Sequence, residues 1–181
     1  MQTPNWLLEI DQTTQYFQKA FGSLSPQELN WKPNSKTWSI AQGIDHIMVI
    51  NQTYFPVIQQ VREGTYKLPW HGRFSFLTRF FGNMVYQSVL PDRKRKMKTL
   101  PMWEPSQSDL PSDILARFAQ SQAALKDLIQ KSEDLVARGV VISSPANRII
   151  VYKLEKAFDI IVTHERRHFN QALEVVEKLK S

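Results

Sequence analysis

The chain has 181 residues and no cysteine. Disulfides, a cysteine nucleophile and thiolate metal ligands are excluded together, so any transition-metal site must use imidazole, carboxylate and water. The same absence fits a reducing compartment. Long hydrophobic runs are also missing, since no segment approaches the roughly 18 apolar residues of a membrane span. The opening MQTPNWLLEIDQTTQYF has no basic head before an apolar stretch, and acids appear by Glu9 and Asp11. That is not a secretory leader, and the expectation is a cytoplasmic protein with no membrane among its partners. Glycine is scarce, at 6 residues, and the 10 prolines fall mostly between candidate helices.

What is present is enough for one core. With 42% hydrophobic residues over this length, we expect a single domain covering 1–181. The net charge of +6 invites a nucleic-acid reading, but the excess is local: RKRKMK at 93–98 holds five cations, and the remainder is nearly balanced. No zinc-finger or glycine-aromatic RNA-binding motif accompanies that run, which reads as a solvated loop; nucleic acid is not an expected partner.

Four segments carry helical periodicity. The first runs from about Pro4 to Phe21, with Trp6, Ile10, Phe17 and Phe21 on one face. Ser25-Pro26 with Glu28 then marks a short capped turn. The second starts at Ser39 as cap, places Ile40, Ile44, Ile47, Ile50 and Ile58 at threes and fours, carries Pro56 as a kink, and ends at Gly64. The third follows Ser112 as cap, through ILARFAQSQAALKDLIQKSEDL. ARGVVISSPAN is a linker with room for a little extended structure, and the fourth helix runs from roughly Ile149 to Leu179. Residues 65–111 form a long connection with a short helix near Phe74–Val89, which suits a crossover leaving helices two and three parallel. The fold expected is all-α, a four-helix bundle with that crossover between helices two and three.

Chemistry concentrates on histidine. The fourth helix's inward stripe reads Leu154, Phe158, Ile161, His164, His168, Val175, Leu179, so two imidazoles sit one turn apart on the core side. A rise of about 1.5 Å per residue separates their backbones by about 6 Å, close enough to share one ion. Each alone reads as a hydrogen-bonded core histidine; a pair on one apolar stripe leaves that reading and metal binding evenly open. His46 lies early in helix two, with Gly43 one turn before it, leaving room beside the imidazole. If helices two and four are antiparallel, His46 and His168 lie about 10 and 16 Å below the same end of the bundle.

His164 to His168 also spells H-E-x-x-H, the zinc-protease pattern. A protease is not expected. Such enzymes draw a third ligand from downstream, and Glu174, six residues past His168, is rotated by about 600° along a continuous helix. Gln171 stands where a turning glycine would be needed, and no strand-rich segment precedes the motif.

KTWSIAQGIDHI, with Trp38, Ser39 and His46, resembles the helix-two signature of the DinB/YfiT-like superfamily, and THERRHFNQA is similar to its final-helix signature. LSPQELNWKP and VISSP resemble family connections; 65–111 matches least. The resemblance implies up-down-down-up helix order, and His46, His164 and His168 together holding one divalent cation, zinc or nickel, with water completing the shell. It further implies a metal-dependent enzyme on small molecules, either a transferase using a low-molecular-weight thiol or a hydrolase, and it tilts toward a homodimer. A non-catalytic metal- or ligand-binding bundle is the alternative.

A three-histidine cation could lower the pKa of bound water toward about 7, or bind a thiol as thiolate. Without cysteine, the thiol would have to be a cosubstrate. Asp45 and Glu165 neighbour these histidines and are candidates for outer-shell groups or a general base, although each reads first as solvated. Arg166 and Arg167 could offer charge to an anionic cosubstrate, and they too read first as surface residues. Trp70, Phe74, Phe76, Phe80 and Phe81 in the long connection either cover the bundle or form a dimer contact.

Overall fold

The computed structural model describes residues 5–92, 103–105 and 109–180. The basic run 93–98 lies outside them. Among the described residues, seven α-helices, one 3-10 turn and one hairpin follow in order: α1 (Trp6–Phe21), α2 (Pro26–Asn30), α3 (Ile40–Arg62), the 3-10 turn (Trp70–Arg73), α4 (Ser75–Val89), α5 (Ile114–Gln130), α6 (Glu133–Ala137), β1 (Val141–Ser144), β2 (Asn147–Lys153) and α7 (Leu154–Lys180). Among the described residues, no helix is long and apolar enough to cross a membrane.

The starts of α2 and α3 follow capping boxes. Ser25 and Glu28 form a capping box before α2. Ser39 and Gln42 form another, in which the Ser39 hydroxyl accepts from the Gln42 amide at 3.1 Å and the Gln42 side chain accepts from the Ser39 amide at 3.2 Å. This second box sets the register of α3, hence the height of His46. Pro56 lies inside α3 without ending it, and the helix runs on to Arg62.

The long helices share two core clusters. One gathers Trp6 and Ile10 from the start of α1, Tyr54 and Ile58 from the end of α3, Leu125 and Ile129 from the end of α5, and Phe158 and Ile161 from the start of α7. The other takes Phe17 and Phe21, Ile40 and Ile44, Ile114 and Phe118, and Ala172 and Val175 from the opposite ends of the same helices. α1 packs on α5 and α7, and α3 packs on the same two.

Several boundaries differ from the sequence expectation. Residues 147–153 form β2, antiparallel to β1 with Ile142 opposite Tyr152, so α7 begins at Leu154 rather than Ile149. IIVY carries the β-branched and aromatic residues that favour a pleated strand, and α4 supplies a surface for it to pack against. The third predicted helix divides into α5 and α6 around Lys131 and Ser132, and Asp113, not Ser112, stands at its cap. The short helix of the long connection is α4, one residue from its expected start.

Candidate metal centre

His46 occupies the second turn of α3; His164 and His168 lie near the middle of α7. α3 packs on α7, and the three rings meet there. Ring centroids are 5.3 Å apart for His46–His164, 4.7 Å for His46–His168 and 4.4 Å for His164–His168. One ring nitrogen from each can be chosen so that all three lie within 4.8 Å of one another. The Nε2 atoms of His164 and His168 are only 2.9 Å apart.

Protonation favours the lone-pair form. Burial pushes all three imidazoles below the ordinary histidine range. His164 falls to about 3, with the charges of His46 and Arg167 adding to the effect of burial. For His168, burial leads, followed by the charges of His164, His46 and Arg167. At His46 a backbone hydrogen bond with Trp103 works against burial, partly restoring its basicity.

That hydrogen bond also orients the ring. His46 Nδ1 lies 2.6 Å from the Trp103 carbonyl oxygen, which can only accept, so Nδ1 carries the proton and Nε2 keeps its lone pair. Trp38 closes one side, 4.8 Å from the His46 ring and stacked on His168 at 6.2 Å with 16° between planes. His164 and His168 each remain 9% exposed, so the cluster is nearly dry but still reachable. His164 Nδ1 is buried with no hydrogen-bond partner among the described residues.

Several neighbours depart from expectation. Gly43 is not forced by crowding: a Cβ there would meet no described atom within 4 Å. Glu165 is not solvated but 0% exposed. It accepts from Asn51 Nδ2 of α3 at 2.7 Å and from Gln122 Nε2 of α5 at 2.8 Å. Burial raises its pKa to about 7, against the two amide hydrogen bonds that lower it. The glutamate of the H-E-x-x-H pattern therefore ties three helices together on another side of α7. Arg166 is exposed and pairs with Glu9 at 2.8 Å, as a surface residue should. Arg167, by contrast, is buried, with Nη1 donating to the Ser88 carbonyl at 2.7 Å. Asp45 is half-buried.

Asn51, Gln122 and the Trp103 carbonyl escaped the sequence reading. For the first two there was a signal: each is a polar residue at an inward spacing, Asn51 between Ile47 and Tyr54, and Gln122 between Phe118 and Leu125. A backbone carbonyl from a distant connection has none.

Helices converging on three buried imidazoles, with a small hairpin at one side, define the class of protein. The sequence model of the DinB superfamily matches residues 9–172, and the chain belongs to that superfamily. No curated protein and no solved structure matches it.

Proposed function

We propose that His46, His164 and His168 hold one divalent cation, zinc or nickel, and that the protein is a metal-dependent enzyme acting on small molecules by thiol transfer or hydrolysis. The observation that carries this reading is the convergence of three neutral imidazoles, one with its tautomer set by the Trp103 carbonyl. The donor set fits the ion: all-nitrogen sites suit zinc, nickel and copper rather than magnesium or calcium, and three protein ligands leave a position open. Two Nε2 atoms at 2.9 Å can share at most one proton, whereas a cation engages both lone pairs. When bound, such an ion supplies a Lewis acid that favours the deprotonated form of water or of a thiol.

The chain's own residues do the rest. The Trp103 carbonyl aims His46, Trp38 screens one side of the cluster from water, and Glu165 holds α3 and α5 against α7. The absence of cysteine assigns any transferable thiol to a cosubstrate. Non-catalytic metal or ligand binding is the second reading, supported by Glu165: its hydrogen bonds turn it toward Asn51 and Gln122, leaving one of the two candidate bases, Asp45 and Glu165, outside the cluster.

The same proposal includes an up-down-down-up bundle in a single domain over 1–181. Supporting the order, α1 and α7 begin at the Trp6–Phe158 cluster and end at the Phe17–Val175 cluster, while α3 and α5 run the other way. A homodimer through the exposed aromatics of the 3-10 turn and α4 belongs to it as well.

Metal analysis of the purified protein tests the site. One equivalent of divalent metal is expected, and His46→Ala should lose most of it while remaining helical. Wild-type protein that carries no metal, or a variant that retains the full equivalent, would refute the assignment. Conjugation assays with glutathione and bacterial thiols on the metal-loaded protein then separate enzyme from inert binder.

A further inference from the structure

Strand β1 breaks the alternation that a strand imposes. Successive side chains should face opposite ways, yet Ile142, Ser143 and Ser144 are all buried. The cause is a bulge, since the register to β2 shifts between Ser143 and Ser144. Bulges re-aim side chains and are common beside functional sites. Here the bulge carries two adjacent serines under the surface. The Tyr66 hydroxyl accepts from the Ser143 amide at 2.7 Å and is hydrogen-bonded to the Ser143 hydroxyl at 3.1 Å. Two hydroxyls joined by one hydrogen bond use one proton between them. The second proton has no acceptor among the described residues.

That pair lines a cleft of about 580 Å³ between the end of α3, the segment after it and the hairpin. Small-molecule sites occupy roughly 300–1,000 Å³. Val57 and Pro145 give the cleft apolar surface, and Lys67 and Arg148 bring positive charge. Arg148 Nη2 donates to the Lys67 carbonyl at 3.1 Å, which ties the guanidinium to the cleft and leaves its other N–H groups to donate. Neither cation is in an ion pair among the described residues. Glu63 also borders the cleft, and its Oε1 accepts from Gln59 Nε2 at 2.8 Å.

We propose that this cleft is a second ligand site, which takes a small phosphate monoester. Arg148, Lys67 and the spare proton of the Tyr66–Ser143 pair hold the phosphate, and the organic part lies against Val57 and Pro145. Three donor groups match the three free oxygens of a phosphate monoester, whereas a carboxylate offers two. The site does not depend on the metal centre: Gln60, which also lines the cleft, comes fourteen residues after His46 on α3, about 21 Å along the helix.

The test titrates nitrogen-15-labelled full-length protein with glycerol 3-phosphate, acetate and glycerol, and follows the amide chemical shifts. The amides of Lys67, Ser143 and Arg148 should move together and saturate with the phosphate ester. Acetate should bind at least about tenfold more weakly, and glycerol should move nothing. Arg148→Gln should weaken the phosphate ester by about tenfold. Lys67→Gln should act in the same direction, and it keeps the test valid if the first variant does not fold. His46→Ala should leave this binding unchanged, because the histidines take no part in it. The proposal is overturned if those amides show no saturable movement, or if acetate binds as tightly as the ester. It is equally overturned if both charge variants bind normally, if His46→Ala abolishes binding, or if the shifts are confined to the basic run 93–98.

Discussion

Two residues four apart on α7 were readable from the sequence because an apolar stripe with a period near 3.6 carried them inward. Glu165 and Arg167 were misjudged by the same logic. One stripe describes a helix packed on one side, but α7 touches α1, α3, α4, α6 and β2, and 14 of its 27 residues are buried. A charged residue rotated away from the main stripe is then still inside. The consequence at Glu165 is testable. Glu165→Ala should destabilise the protein by on the order of 2–4 kcal/mol, because the Asn51 and Gln122 amides lose their acceptor in the core. Glu165→Gln should cost far less. A rotated amide at Asn51 or Gln122 can offer its own buried oxygen, now partnerless among the described residues, to the new NH2 group. Urea unfolding of the two variants measures the difference; equal losses would show that the three-helix tie is not what Glu165 provides.

At the scale of elements, two serine caps gave the starts of α2 and α3, Ser112 missed that of α5 by one residue, and the hairpin was read poorly. Ser25 and Ser39 announce α2 and α3 through local chemistry that needs no tertiary partner. β2 is different: its apolar residues suit either a strand or the first turn of α7, and only packing against β1 and α4 decides. The hairpin in turn anchors α3. Tyr152 of β2 meets Tyr54 of α3 hydroxyl to hydroxyl at 3.0 Å, deep in the core. Burial holds both phenols above their ordinary value of 10.0, with the partner's charge also raising Tyr54. The sign is fixed: the folded state keeps both neutral, while unfolded chains ionise above pH 10. Their contribution to stability is present below that pH and declines as pH rises past it. Thermal unfolding followed from pH 9 to 11 should show a steeper alkaline loss in the wild type than in Tyr54→Phe/Tyr152→Phe. Parallel curves would assign alkaline sensitivity to other groups. Removing the Ser39 cap is the matching test on α3: Ser39→Ala should cost about 1 kcal/mol by urea unfolding and weaken metal retention, since the cap sets the height of His46.

For the molecule as a whole, the open question raised by the sequence was what covers the aromatics of the long connection. Folding hides only part of them. Phe81 is half-buried, but Trp70, Phe76 and Phe80 are 73%, 66% and 61% exposed, and Phe76, Phe80 and Met84 recur every four residues along the outer face of α4. Trp70, Phe74 and Phe76 continue it as touching rings, with centroids 5.8 and 6.1 Å apart. The sequence showed these residues without showing that they share a face, because that depends on which side of α4 lies against β2 and α7. An apolar face of this kind fits self-association through a two-fold contact. Arg73 and Arg79 are exposed within it, and no acid lies between Glu63 and Asp92. A two-fold axis through α4 would bring like charges together, so the dimer should tighten as salt rises, opposite to an association driven by ion pairs. Sedimentation at low and high ionic strength checks this, with Phe76→Ser/Phe80→Ser as the control. The expected result is a salt-strengthened dimer that becomes monomeric in the double variant with its metal content unchanged. A wild-type protein that stays monomeric at every salt concentration, or a dimer indifferent to both substitutions, would leave the α4 face without this role.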